Sequence, residues 1–140
     1  KRQAKGITVK EATVSTVNDI QQAARSLAGD VQAVYVPTDN VLASAIPTLI
    51  SVTEEAKLPV ICAEGGMVRA GGLATLGVDY YKLGFQTGVM AADILSGKAK
   101  PADMAIQAQK EFKPTINLKE AAKIGLKVPE DLLKGADVIK

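Results

Sequence analysis

The chain has 140 residues, 47% hydrophobic and 23% charged, a composition suited to one folded domain rather than a disordered segment. Its 17 basic and 15 acidic residues leave a formal charge of +2 scattered along the sequence, and aromatics are only 4%. Neither a basic footprint nor a stacking surface therefore speaks for nucleic acid. Histidine is absent, which excludes Ser-His-Asp, Cys-His and histidine-zinc chemistry, and one cysteine, Cys62, excludes an intrachain disulfide framework.

In chain order, "KRQAKG" has a charged start without an apolar core, so no secretory signal is read in this chain. It reads as a helix end, cationic in its last turn with Gly6 at the stop. Residues 7–14, "ITVKEATV", are β-branched and partly alternating, which predicts a strand. From Thr16 the period lengthens: Val17, Ile20, Ala24 and Leu27 share a helical face, and Gly29 is the expected stop. "VQAVYVP" is a buried-strand run ended by Pro37, followed by a helix from Val41 to Lys57 that Pro47 should kink or break.

"LPVICAE" predicts a second buried strand, leading into a polar loop, "GGMVRAGG". "LATLGVD" predicts a third, and "YYKLGFQTGVMAADILSG" a helix with Leu83, Thr87, Met90, Ala91 and Ile94 on its inner face. Gly84 and Gly88, four apart, would permit close backbone approach, and Gly97 is the expected stop. After "KAKPAD" comes an extended stretch, then a capping box of Asn117 and Glu120 opening "LKEAAKIG", and a last short helix opened by Pro129. No apolar run approaches the roughly 20 residues that span a bilayer.

Repeated β-α units predict an α/β fold with a mostly parallel, doubly wound sheet and helices on both faces. Ligands of such folds sit beyond the carboxyl ends of the strands, so three loops should converge on one edge: Thr38, Asp39 and Asn40; Glu64, Gly65, Gly66 and Met67; Asp79 and Tyr80. Each has a bland reading. Asp39 or Asn40 could cap the next helix, with Asn40 the expected cap and Thr38 and Asp39 left for a ligand. Glu64 could be a solvated turn carboxylate, Met67 plain core, Asp79 a cap, and Tyr80 and Tyr81 packing residues. The functional reading gives the carboxylates a cationic group, the glycines close backbone approach, and the tyrosines a planar ligand.

Catalysis finds little support. Lys82 and Arg69 are the basic partners left and read as solvated surface; Cys62 lies in an apolar strand and reads as inert core. The "GG" pairs lack the spacing of a phosphate-binding loop. No catalytic residue, metal or cofactor is expected.

The stretch from "VPTDN" through "GGLATLGVDYYKLG" with "QTG", and the tail "INLKEAAKIGLKVPEDLLKGADVI", resembles the C-terminal half of substrate-binding proteins of ABC transporters, in the aromatic amino-acid group. The resemblance implies a type I periplasmic-binding-protein fold, in which two α/β lobes close around a small molecule. It also implies an extracytoplasmic protein, often a lipoprotein, that hands its ligand to a membrane permease. On that pattern the chain is a C-terminal lobe whose first strand is missing, and residues 111–140 are a tail packing toward the hinge or the absent N-terminal lobe. The missing strand would leave open edges, through which a homodimer could form. The alternative reading is a ligand-sensing regulatory domain of a repressor-like protein.

Overall fold

The computed structural model describes residues 6–109 and 111–140. Its centre is a five-stranded sheet in the order β1 (Val34–Val36), β2 (Val60–Cys62), β3 (Ala74–Gly77), β4 (Lys113–Asn117) and β5 (Asp137–Ile139). β1, β2 and β3 run parallel, β4 is antiparallel to β3, and β5 is parallel to β4, so the sheet is mixed but mostly parallel. Val34 lies opposite Val60 and Val36 opposite Cys62, which aligns the strand ends. Pro37 follows β1 directly, where it owes no hydrogen bond to the ladder.

The period of two in these strands divides the core. Val36, Val60 and Cys62 point to one face, covered by α1 (Asp19–Ala28) through Ile20 and Ala24 and by α3 (Ile46–Glu55) through Ile46, Leu49 and Ile50. Ile61 and Ala74 point the other way and meet Leu73, Ala121 and Ile124, the last two at α6 (Leu118–Lys123) and its end. Each such aliphatic side chain contributes about 1.5–3 kcal/mol on full burial. Helices thus cover both faces, as the β-α alternation predicts.

Pro47 breaks the second predicted helix. α2 (Asn40–Ser44) stops at Ala45, and α3 restarts with Pro47 in its first turn, where a missing N–H costs nothing. Gly97 and Gly6 take the left-handed conformations expected of helix stops, at φ 75° and 77°, whereas Gly29 stays right-handed. The residues that would form the helix before Gly6 lie outside those described.

Three expectations change. Residues 7–14 form no strand, because no described strand lies beside them; Ile7 and Val9 stay 64% and 65% exposed. "GGMVRAGG" is not all loop: residues Gly65–Arg69 form α4, with Met67 and Val68 buried beneath it. α5 (Tyr80–Leu95) has the predicted bounds but buries no residue, and among the described residues no other element would come within 4 Å of a Cβ on Gly84 or Gly88. Beyond these, the tail supplies β4, α6, β5 and a short α7 (Glu130–Leu133), so residues 113–139 complete this sheet.

The capping box is half made. Asn117 Oδ1 accepts from the Glu120 N–H at 3.1 Å, but the Asn117 N–H is taken by the Leu73 carbonyl at 2.8 Å as an extension of the sheet. Glu120 therefore turns its side chain toward Glu54 at the end of α3 and toward Lys123, whose ammonium pairs with Glu54 at 2.6 Å and lies 3.9 Å from Glu120.

Candidate functional site

The three parallel strands deliver their carboxyl ends side by side, and a bridge between Glu64 and Val78 extends the alignment past β2 and β3. Two adjoining cavities open there. The first, about 550 Å³, takes Thr38, Asp39 and Asn40 from the end of β1, Glu64 and Met67 from the end of β2, and Tyr80 from α5. The second, about 330 Å³, shares Glu64 and Tyr80 and adds Gly65, Gly66 and Asp79. All nine residues singled out in the sequence thus lie around one edge of the sheet, divided between two adjoining spaces.

Helix capping and cavity lining prove to be the same feature. Asp39, not Asn40, is the N-cap of α2, its Oδ1 accepting from the Leu42 N–H at 3.0 Å. Helix α2 begins at Asn40, one residue earlier than predicted, which moves the cap back by one. Asp79 caps α5, its Oδ1 accepting from Tyr81 and Lys82 at 3.0 and 3.1 Å. Glu64 caps α4 with both oxygens, one to Gly66 at 2.7 Å and one to Met67 at 2.6 Å. Among the described residues, Asp39 and Asp79 therefore each retain an unengaged Oδ2, while Glu64 has both oxygens engaged. Each helix N-terminus also stabilises the negative charge of its cap.

The other candidates fall into place by burial. Met67 is 2% exposed and belongs to the core while still lining the first cavity. Tyr80 is 58% exposed at the junction of the two spaces, whereas Tyr81 is 85% exposed and lines neither. Lys82 is held by Glu111 at 2.7 Å, a hydrogen bond that raises its pKa and keeps it protonated. Arg69 is bound to Asp137 at 2.9 Å. Burial, and secondarily the charge of Glu64, pushes the Cys62 thiol up to about 12, so it stays a protonated core group.

The second cavity contains side chains that the loop-by-loop reading missed: Arg69, Thr75, Lys113 and Thr115. Thr75 and Thr115 face each other across β3 and β4, a pairing that only the sheet register reveals. A threonine alternating with a glycine, Thr75-Leu76-Gly77, was the available signal for Thr75. It places a hydroxyl beside a bare backbone on one side of a strand.

An open α/β sheet with its polar residues and cavities gathered at the carboxyl ends of parallel strands is the arrangement of the doubly wound class, in which ligands sit at that edge. The chain belongs to the ABC transporter substrate binding protein family, whose family model matches residues 1–140. It is 37% identical over 132 residues to a tyrosine-binding protein of Clostridioides difficile (strain R20291), covering 94% of this chain and 34% of that protein. Among solved structures it is similar to the ABC domain of Streptococcus pneumoniae in complex with L-Trp, at TM-score 0.85 and 36% identity. It is also similar to a conserved domain protein of Vibrio cholerae, at TM-score 0.86 and 36% identity. Each match covers 96% of this chain and 45% of the solved one, so the chain spans less than half the length of these relatives.

Proposed function

We propose that this chain forms one wall of a receptor cleft for a small zwitterion, an amino acid with an aromatic side chain, delivered to a membrane permease outside the cytoplasm. The observation that carries the reading is the row of strand-tip caps, in which Asp39 and Asp79 keep one oxygen each for an ammonium group and Tyr80 stands between them. The relatives, a tyrosine-binding protein and an L-Trp complex, support the ligand class. The family supports a receptor rather than an enzyme, and paired Lys82 and Arg69 with a protonated Cys62 agree with that.

Amide-shift titration of the ¹⁵N-labelled protein tests this at millimolar ligand, where weak binding by one wall is visible. L-Trp and L-Tyr are expected to shift the amides of residues 38–42, 64–67 and 79–82, and glucose to shift none. No response to any amino acid would refute the reading. Asp39→Asn should weaken L-Trp binding by about 1.5 kcal/mol, roughly tenfold, as expected for loss of a charge-assisted hydrogen bond. Asparagine caps helices as well as aspartate does, so the melting temperature should barely move. Equal affinities for the variant and the wild type would remove Asp39 from the site.

The outer edge of β1 has no strand beside it among the described residues, with Tyr35 66% exposed on that strand. Pairing of two copies along this edge is the association we propose for an isolated chain. Light scattering should then show dimer growing with concentration, and a monomer throughout the micromolar range would count against it.

A further inference from the structure

The second cavity contains a buried polar group with no partner among the described residues. Thr75 is 5% exposed, and its Oγ1 makes no hydrogen bond with any of them. Buried hydroxyls are nearly always satisfied, and leaving one unmade costs stability. Gly77 lets the segment leaving β2 pack closely beside it, since a Cβ there would lie 2.5 Å from Thr75 Oγ1. Across the ladder, Thr115 is 6% exposed, and its Oγ1 and Arg69 Nη2 lie 3.5 and 3.9 Å from the point a Gly65 Cβ would occupy. The Arg69–Asp137 contact is made through Nη1, which orients the guanidinium and leaves Nη2 beside Gly65. Lys113 completes the lining with a second cation.

We infer that this cavity seats the carboxylate of the ligand, with Thr75 and Thr115 hydroxyls and Arg69 Nη2 as donors, while the ammonium faces the unengaged oxygens of Asp79 and, across the junction with the first cavity, Asp39. The inference rests on the amino-acid reading above and assigns the orientation of the ligand within it. A carboxylate has the lone pairs that several convergent donors require. The charges select a zwitterion over a plain anion. Arg69 and Lys113 are outnumbered by Glu64, Asp79 and Asp137, so an anion enters favourably only when it brings its own cation.

Thr75→Val tests the assignment, because it removes the hydroxyl at nearly constant shape. The same amide-shift titration should show L-Trp binding weakened five- to twentyfold, with tryptamine, which lacks the carboxylate, unaffected. The variant should also melt higher than the wild type, because an unpartnered buried hydroxyl has been removed. Thr75→Ser should retain wild-type affinity for L-Trp. Wild-type-like binding of L-Trp by Thr75→Val, or an equal loss of tryptamine and L-Trp, would overturn the carboxylate seat and leave the amino-acid reading standing. Absence of amino-acid binding by the wild type would overturn both.

Discussion

Gly77→Ala is expected to destabilise the protein by about 3 kcal/mol, at the upper end of what overpacking costs in a well-filled interior. The added Cβ would sit 2.3 Å from the Ala63 carbonyl oxygen and 2.8 Å from the Glu64 Cα. Both are backbone atoms of the segment leaving β2, so no rotamer change can relieve the contact. The strand ends would have to separate, and with them Glu64 and the bridge to Val78. The defect thus reaches the site as well as the core. Urea unfolding monitored by circular dichroism reads it directly. The control is Gly84→Ala, whose new Cβ would meet nothing within 4 Å outside its own helix among the described residues: it should stabilise by about 0.8 kcal/mol from helix propensity alone. A loss below 1 kcal/mol for Gly77→Ala would show that the tips of β2 and β3 are free to part.

The second large effect is electrostatic. Glu120 is 3% exposed, and desolvation first, then hydrogen bonding and repulsion from Glu54, raise its pKa from 4.5 to about 7; Lys123 opposes the shift. Below about pH 4.5 the carboxyl is neutral in both folded and unfolded chains. As pH rises toward 7 the unfolded chain releases this proton while the folded one retains it, so stability falls across that window and levels off above it. The loss is on the order of 2 kcal/mol. Glu54 acts in the opposite sense: its hydrogen bond to Lys123 lowers its pKa, and its contribution is lost as pH falls through the folded value. Together they place the stability maximum in mild acid. Glu120→Gln, neutral at every pH, should flatten the decline and exceed the wild type by on the order of 2 kcal/mol at pH 8. Urea midpoints at pH 5, 6, 7 and 8 measure this, and parallel slopes for the two proteins would contradict it.

The sheet was legible wherever a residue run has only one stable use. "VYV", "VIC" and "ATLG" are short apolar segments between turn formers, and the β-α alternation places their carboxyl ends together. The gathering of the candidate residues at one edge followed from that topology. Misreadings arose where the answer depends on a neighbour distant in sequence. Residues 7–14 have the pattern of a strand, but a strand exists only beside another. The inner face predicted for α5 would bury against an element that the described residues do not provide, so Met90 and Ile94 remain only partly covered and Phe85 stays 69% exposed.

Local ambiguity accounts for the rest. Asp39 and Asn40 are equally good caps, and only the first helical residue decides between them. Glycines at the first two positions of α4 disguised that helix, since glycine is a poor helix former and Glu64 is not a preferred cap. The Thr75–Thr115 pair requires the register of β3 against β4, two strands whose sequence separation no local pattern bridges.

Under the receptor reading proposed above, the acidic caps have a consequence for the energetics of capture. A flexible carboxylate on a surface loop loses rotamer freedom when it grips a ligand, at a cost of about 0.5–1.5 kcal/mol for each side chain immobilised. Asp39, Glu64 and Asp79 are already fixed by the amides of the helices they begin. Their entropy has been surrendered during folding, so this wall of the cleft is preorganised.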